Sequence, residues 1–371
     1  MASSSFDHLK SHADMLLNSD AGLSELYELK QQLGEQSAQS GCRVVRDKKT
    51  GISYALYERL LADLDPAKCE ELCQALAAQK RIRQDAPADV AEEMRTARLA
   101  CAREMLLSPT RVFLINELVP TEGAVCDSLL ALLQRRGRLA ESDARRIFSR
   151  LVLATKRAHD CGAVLRNLKP EIVQVRQAQK NGTFEVCLSQ LHCAACVEEG
   201  DESSTLTGLV GTPEYCAPEV TIWYWYECVP PRLPEPPPPY GAKADVWALG
   251  ICLHVMLCGC FPFSASADEE ELLRVINTAN FTFSDPGWKK VSEEALDLVS
   301  QLLARDPLDR PFLEEVLQHP FCADALQEAI MQDEAASPQR KLDAAAFDRA
   351  LDLLDGDEDE EPAKSRRWPW Q

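Results

Sequence analysis

No run of about 18 uncharged apolar residues occurs in the 371-residue chain, so no membrane-spanning helix is expected. The opening Met1-Ala2-Ser3-Ser4-Ser5 has no apolar signal region, and Ala2 stands where myristoylation needs glycine. A cytoplasmic protein is the expectation that follows. Positive charge is scarce: 40 Lys and Arg face 59 Asp and Glu, a net −19. A surface of that sign repels polyanions, which argues against nucleic acid and anionic membranes as partners. No D-x-D-x-D-G loop with a closing Glu is present, so EF-hand calcium is not expected. Nor is there a basic amphipathic helix of the kind calmodulin binds. The 15 Cys form no disulfide framework and should behave as small apolar groups in a reducing compartment. His192-Cys193-Ala194-Ala195-Cys196 lacks a second Cys/His pair at zinc-site spacing, so no metal is expected there.

What the chain does have is apolar content, 46% of its residues, enough for a large core. Its length suits either two to three average domains or one bilobal unit of roughly 250 to 300 residues. Residues 1–26 read as an N-terminal extension with weak helical spacing through Leu16, Leu17, Leu23 and Leu26. From Tyr27 the pattern shortens to strand-like pieces, and Cys42–Val45 and Tyr54–Tyr57 flank a turn at Asp47–Gly51, a hairpin. Residues 65–106 are helix-rich in composition, and Arg111–Leu118 reads as a strand. Ala144, Ile147, Phe148, Leu151, Val152 and Thr155 recur at three- and four-residue spacing, which predicts an amphipathic helix over Ala140–Cys161. Ser142 and Asp143 fit its N-terminus. A turn at Lys180–Gly182 precedes a strand at Phe184–Leu188. The segment Ala244–Cys258 is apolar on nearly every side and should be an enclosed helix. Residues 322–371 form a tail whose run Asp355–Glu361 is acidic and solvated.

Four stretches share a pattern. Gly211-Thr212-Pro213-Glu214-Tyr215-Cys216-Ala217-Pro218-Glu219, Asp245-Val246-Trp247-Ala248-Leu249-Gly250, Asp306-Pro307-Leu308-Asp309-Arg310 and His319-Pro320-Phe321 resemble fold-holding motifs of protein kinases. Gly137–Ala144 and Phe283–Trp288 are similar in phrasing to calcium/calmodulin-dependent and calcium-dependent Ser/Thr kinases. The likeness covers residues 27–321. It implies an α+β, bilobal protein kinase-like fold, with an N-lobe over 27–118 and a C-lobe over 119–321. It further implies a buried Glu219–Arg310 ion pair, Asp245 bound to the catalytic-loop backbone, and Glu93 as the structural carboxylate of the regulatory helix.

The residues that do the family's chemistry are exchanged. Leu165-Arg166-Asn167-Leu168-Lys169-Pro170-Glu171-Ile172 resembles H-R-D-L-K-P-E-N, with Asn167 for the base and Ile172 for a magnesium ligand. The degenerate nucleotide cleft would comprise Gly34, Ala55, Tyr57, Asn116, Glu117, Gln174 and Gln190. Of the Gly-rich loop only Gly34 remains, Tyr57 replaces the phosphate-binding Lys, and Gln190 replaces the second metal ligand. The resemblance therefore implies no catalytic residue, no metal and no cofactor, and a pseudokinase acting as a scaffold or allosteric regulator in signalling. The competing expectation is an active Ser/Thr kinase using ATP and magnesium, in which Glu171 or Glu185 recruits metal and Arg43 reaches the phosphates. Ser203, Ser204, Thr205 and Thr207 are candidate phosphosites for pairing with Arg166. The insertion over residues 221–240 runs from Trp223 to Pro239; its prolines suit polyproline II, either as a stiff surface loop or as a surface for a protein partner.

Overall fold

The computed structural model describes residues 9–32, 43–85, 97–118, 126–177, 184–197, 205–228, 235–263, 268–284, 286–323 and 325. Its small lobe is built on alternation. Strand β1 (Met15–Leu16), the single turn α1 (Leu23–Leu26), β2 (Tyr27–Gln32), β3 (Arg43–Asp47) and β4 (Ser53–Leu60) precede the helix α2 (Pro66–Asp85). Then come β5 (Ala97–Leu99), β6 (Ala102–Leu107) and β7 (Arg111–Glu117). Six of these strands make one sheet in the order β1-β6-β7-β4-β3-β2. Along β4, Ala55 and Tyr57 face Leu72, Cys73 and Leu76 of α2, whereas Tyr54 and Leu56 join Leu23, Tyr27, Phe113 and Ile115 on the other face. The expected hairpin closes at Asp47, whose carboxylate accepts the N–H groups of Lys49 (2.8 Å) and Thr50 (3.3 Å).

Two expectations are corrected in this lobe. Helical spacing does not extend over Leu16–Leu26: Met15–Leu16 is a strand paired parallel to β6, and within that span helix starts only at Asp20, as a 3-10 turn over Asp20–Gly22 that runs into α1. Backbone pairing decides it, since Asp14 N–H bonds Met105 O and Leu17 N–H bonds Leu107 O, both at 2.8 Å. Residues 65–106 are not helical throughout, because α2 stops at Asp85 and residues 97–99 and 102–107 are strands. Ala, Leu, Arg and Glu favour helix only weakly, and β6 aligned along β7 outweighs that preference.

The larger lobe starts with β8 (Cys126–Ser128), α3 (Leu129–Arg136) and α4 (Glu141–Asp160). Short strands β9 (Ala163–Val164), β10 (Val173–Gln177), β11 (Phe184–Leu188) and β12 (Ala195–Cys196) follow. Helices α5 (Pro218–Glu227), α6 (Lys243–Cys258), α7 (Glu269–Thr278), α8 (Glu293–Leu302) and α9 (Leu313–Gln318) follow in turn. The predicted stripe of α4 is fully buried, from Ala144 to Thr155. Its N-cap is Ala140 rather than Ser142; the first turn is favoured instead by Glu141 and Asp143 at the positive end of the helix dipole. Every residue of α6 from Ala244 to Leu257 is buried, as its uniform apolarity predicts. Trp223–Tyr226, at the start of the expected insertion, belong to α5, with Pro218 favouring its first turn. Trp223 is buried, and Tyr224, Trp225 and Tyr226 pack against the core more loosely. The arrangement is the α+β, two-lobed one expected.

Candidate functional site

Between β9 and β10 the chain makes the loop 165–172, and one buried carboxylate fixes its start. Asp245, near the beginning of α6, accepts the N–H of Leu165 at 2.7 Å and that of Arg166 at 2.9 Å, and His159 Nε2 lies 2.8 Å from it. Arg166 has φ +61°, a left-handed conformation that costs a bulky residue about 1–3 kcal/mol and persists only when its surroundings enforce it. Gly211 makes room for this backbone, since a Cβ there would lie 2.6 Å from Arg166 O. The Arg166 side chain donates from Nε to Cys193 O at 2.6 Å, while its Nη2 is buried without a hydrogen-bond partner among the described residues.

Farther along the loop, the Thr212 hydroxyl accepts from Lys169 Nζ at 2.7 Å and donates to Asn167 Oδ1 at 2.8 Å. An amide at 167 can accept this bond but has no basic lone pair with which to take a proton near neutral pH. Ile172 is buried in the main core, where its alkyl side chain can ligate nothing. Burial pushes the Glu171 carboxyl up against the pull of Lys169, and its Oε2 has no hydrogen-bond partner among the described residues.

After β11, Gln190 also takes a left-handed conformation, φ +57°, and Leu191 is buried. Gln174 Nε2 reaches Glu171 O and Ser189 Oγ, each at 3.4 Å. Tyr57 is 7% exposed in an apolar cluster with Leu9, Cys69, Leu72 and Cys73, and its ring meets that of His192 edge-on at 5.9 Å. Burial, with the like charges of Arg59 and Lys169, lowers the His192 pKa to about 4, so the imidazole is neutral. Asn116 pairs with Ala55 across the strands and is buried, with Oδ1 lacking a hydrogen-bond partner among the described residues. Glu117 closes β7 with its N–H on Cys101 O. Gly34, Glu93, Ser203 and Ser204 lie outside the described residues, whereas Thr205 and Thr207 are exposed.

Arg310 meets Glu219 in a two-pronged ion pair at 2.6 and 2.8 Å, with its side chain fully buried. It also donates to the carbonyls of Ala304, Lys243 and Arg305, so every nitrogen of the guanidinium is satisfied.

A family model described as the protein kinase domain matches residues 68–322, more than two thirds of the chain. The chain belongs to the protein kinase family. The match opens at Lys68, in the first turn of α2, and this kinase domain resembles several curated relatives beyond it. It is 31% identical to human calcium/calmodulin-dependent protein kinase type 1B over 210 residues, 57% of this chain and 54% of that protein. To CBL-interacting serine/threonine-protein kinase 24 of Arabidopsis thaliana it is 35% identical over 207 residues, 56% of this chain and 40% of the relative. A serine/threonine-protein kinase of Drosophila yakuba is 28% identical over 277 residues, 74% of this chain and 32% of the relative. The kinase domain thus spans from about a third to about half the length of these relatives.

The geometry brings Arg166, Asn167 and Lys169 together in one loop that Asp245 of α6 holds, and separately pairs Glu219 with Arg310. Sequence reading passed over Thr212 as a bridge, His192 as the ring against Tyr57, and Gln79 of α2. Gln79 had a signal: a polar side chain following Leu72 and Leu76 in an apolar helical stripe. Among the described residues no helix is long and apolar enough to cross a membrane.

Proposed function

We propose that this kinase domain does not transfer phosphate and serves as a scaffold or allosteric partner in signalling in the cytoplasm. The observation that carries this reading is Tyr57. Phosphoryl transfer is mostly positioning and neutralisation of phosphate charge. At Tyr57 a phenol sits in an apolar cluster against a neutral imidazole, and neither ring supplies a positive charge for a phosphate. Asn167 has no proton-accepting role to offer, and Gln190 and Ile172 are poor partners for a hard cation. The displaced-residue alternative loses support from two of its three candidates. Arg43 is paired with Glu58, and Glu185 is held by Arg176, whose Nε lies 3.0 Å from it. Thermal denaturation with ATP, with and without magnesium, tests the proposal. No shift is expected, a magnesium-independent shift means nucleotide binding without turnover, and a magnesium-dependent shift with transfer of labelled phosphate overturns it.

The partner surface we assign to the region from Trp223 to Pro239. Trp225 and Tyr224 are partly exposed there, Arg274 stacks on Trp225 at 4.7 Å, and Tyr240 closes the segment by pairing with Leu206. A protein partner that reads extended proline-rich chain fits this composition. Capture of partners by the whole chain and by a chain lacking residues 229–239 decides it: equal capture removes the assignment. Phosphorylation at Thr205 or Thr207 would add a charge for Arg166 to meet, and unchanged partner binding after phosphorylation would remove that role.

A further inference from the structure

We propose that residues 9–20 are a built-in strut that fixes α2 against the sheet and against residues 191–197, with Gln79 as the positioning residue. This inference stands whether or not phosphate is transferred.

The strut grips α2 at several points. Leu9 is fully buried and packs in the cluster with Cys69, Leu72, Cys73 and Leu76. Asp14 bridges helix and sheet with one carboxylate: Oδ2 accepts the N–H of Met105 at 2.7 Å, and Oδ1 lies 3.1 Å from Lys80 Nζ. Asp20 anchors the far end, accepting the hydroxyls of Ser108 and Thr110 and lying 3.4 Å from Arg111. With hydrogen bonds favouring its charged form, the Asp20 carboxyl is held below its usual pKa.

On its other side the same helix holds the segment after β11. Gln79, 2% exposed, accepts the Ala102 N–H at 2.7 Å and donates to Leu191 O at 3.0 Å, so a single amide ties sheet, helix and segment together. Arg81 donates to Val197 O at 3.3 Å, and Arg83 to the carbonyls of Ala102 and Arg103. A helix moves as a stiff body, so the grip on Leu72 and Lys80 sets where Gln79 and Arg81 lie. The N-terminal residues thereby hold residues 191–197 by way of α2, through the Gln79 amide and the Arg81 guanidinium on backbone carbonyls, contacts that need no nucleotide.

Hydrogen exchange on the full chain tests this, read at the amides of Ala194, Ala195 and Val197, with α6 as the reference for global folding. The double variant Leu9→Ala, Asp14→Ala should speed exchange in α2 and at those three amides by about tenfold, on the scale of one lost buried hydrogen bond, with α6 unchanged. Should that variant lose protection in α6, Asp14→Asn alone, which removes the charge pairing with Lys80, carries the same expectation at smaller size. Gln79→Leu should expose the Ala102 amide as well, whereas Gln79→Glu keeps the acceptor, leaves Ala102 protected and frees only residues 191–197. Faster exchange confined to residues 9–20 and 105–107, with Ala194–Val197 as in the unsubstituted chain, overturns the strut. Unaltered exchange at Ala194–Val197 in Gln79→Leu overturns the role of Gln79.

Discussion

Asn167 and Lys169 share one hydroxyl, that of Thr212, at 2.8 and 2.7 Å. The loop is therefore latched to the segment after Gly211 by neutral and singly charged hydrogen bonds, with no carboxylate required. Replacing Thr212 by Val should strand Asn167 Oδ1 and Lys169 Nζ and lower stability by about 1–2 kcal/mol in denaturant titrations. An effect below a few tenths of a kcal/mol would mean that solvent replaces the latch.

Asn167→Asp by itself should yield no phosphate transfer, since Tyr57, Ile172 and Gln190 remain. Adding Tyr57→Lys, Ile172→Asn and Gln190→Asp should first restore magnesium-dependent stabilisation by ATP, visible as a thermal shift. If Asn167→Asp alone produced labelled phosphoprotein, the proposal of an inactive domain would fail.

The Glu219–Arg310 pair should be the costliest polar contact to break. Glu219→Ala leaves the buried guanidinium of Arg310 uncompensated, and a loss of about 3–5 kcal/mol is expected by denaturant unfolding. A much smaller loss would show that the carbonyls of Ala304 and Lys243 suffice to hold the charge.

His192 predicts a pH dependence. Its folded-state pKa, about 4, lies below the ordinary value of 6.5, so the folded protein resists a proton that the unfolded chain accepts. The resulting stability is fully present above pH 6.5 and is lost as the pH falls toward 4, on the order of 3 kcal/mol in all. His192→Phe keeps a ring against Tyr57 and removes the proton site. Its stability should fall less steeply between pH 6.5 and 4, and parallel curves for the two proteins would contradict the assignment.

Close packing at Gly250 gives a further check. A Cβ there would lie 2.8 Å from Leu303 Cδ2 and 2.9 Å from Leu302 Cβ. Gly250→Ala should push α6 off the end of α8 and cost about 1–3 kcal/mol, read as a lower midpoint of thermal unfolding.

Much of the large lobe was legible in the residues. The stripe of α4 and the all-round apolarity of α6 are periodic signals, and periodicity maps directly onto burial. The small lobe was harder. Residues 97–107 carry helix-favouring side chains yet pair as strands, because a local preference of a few tenths of a kcal/mol per residue yields to a neighbouring strand. Leu9 and Asp14 gave no signal of their contacts with α2, since those partners lie more than 50 residues away.

By itself the sequence determined the family, through motifs such as Gly211–Glu219 and Asp245–Gly250, and the kinds of group available: an amide at 167, a phenol at 57, an amide at 190. These are matters of side-chain identity and spacing, which no folding event alters. Tertiary structure decided what those groups meet. Only there does Tyr57 find His192, Thr212 join Asn167 to Lys169, and Gln79 reach Leu191, because each contact depends on elements brought together by packing rather than by any local rule.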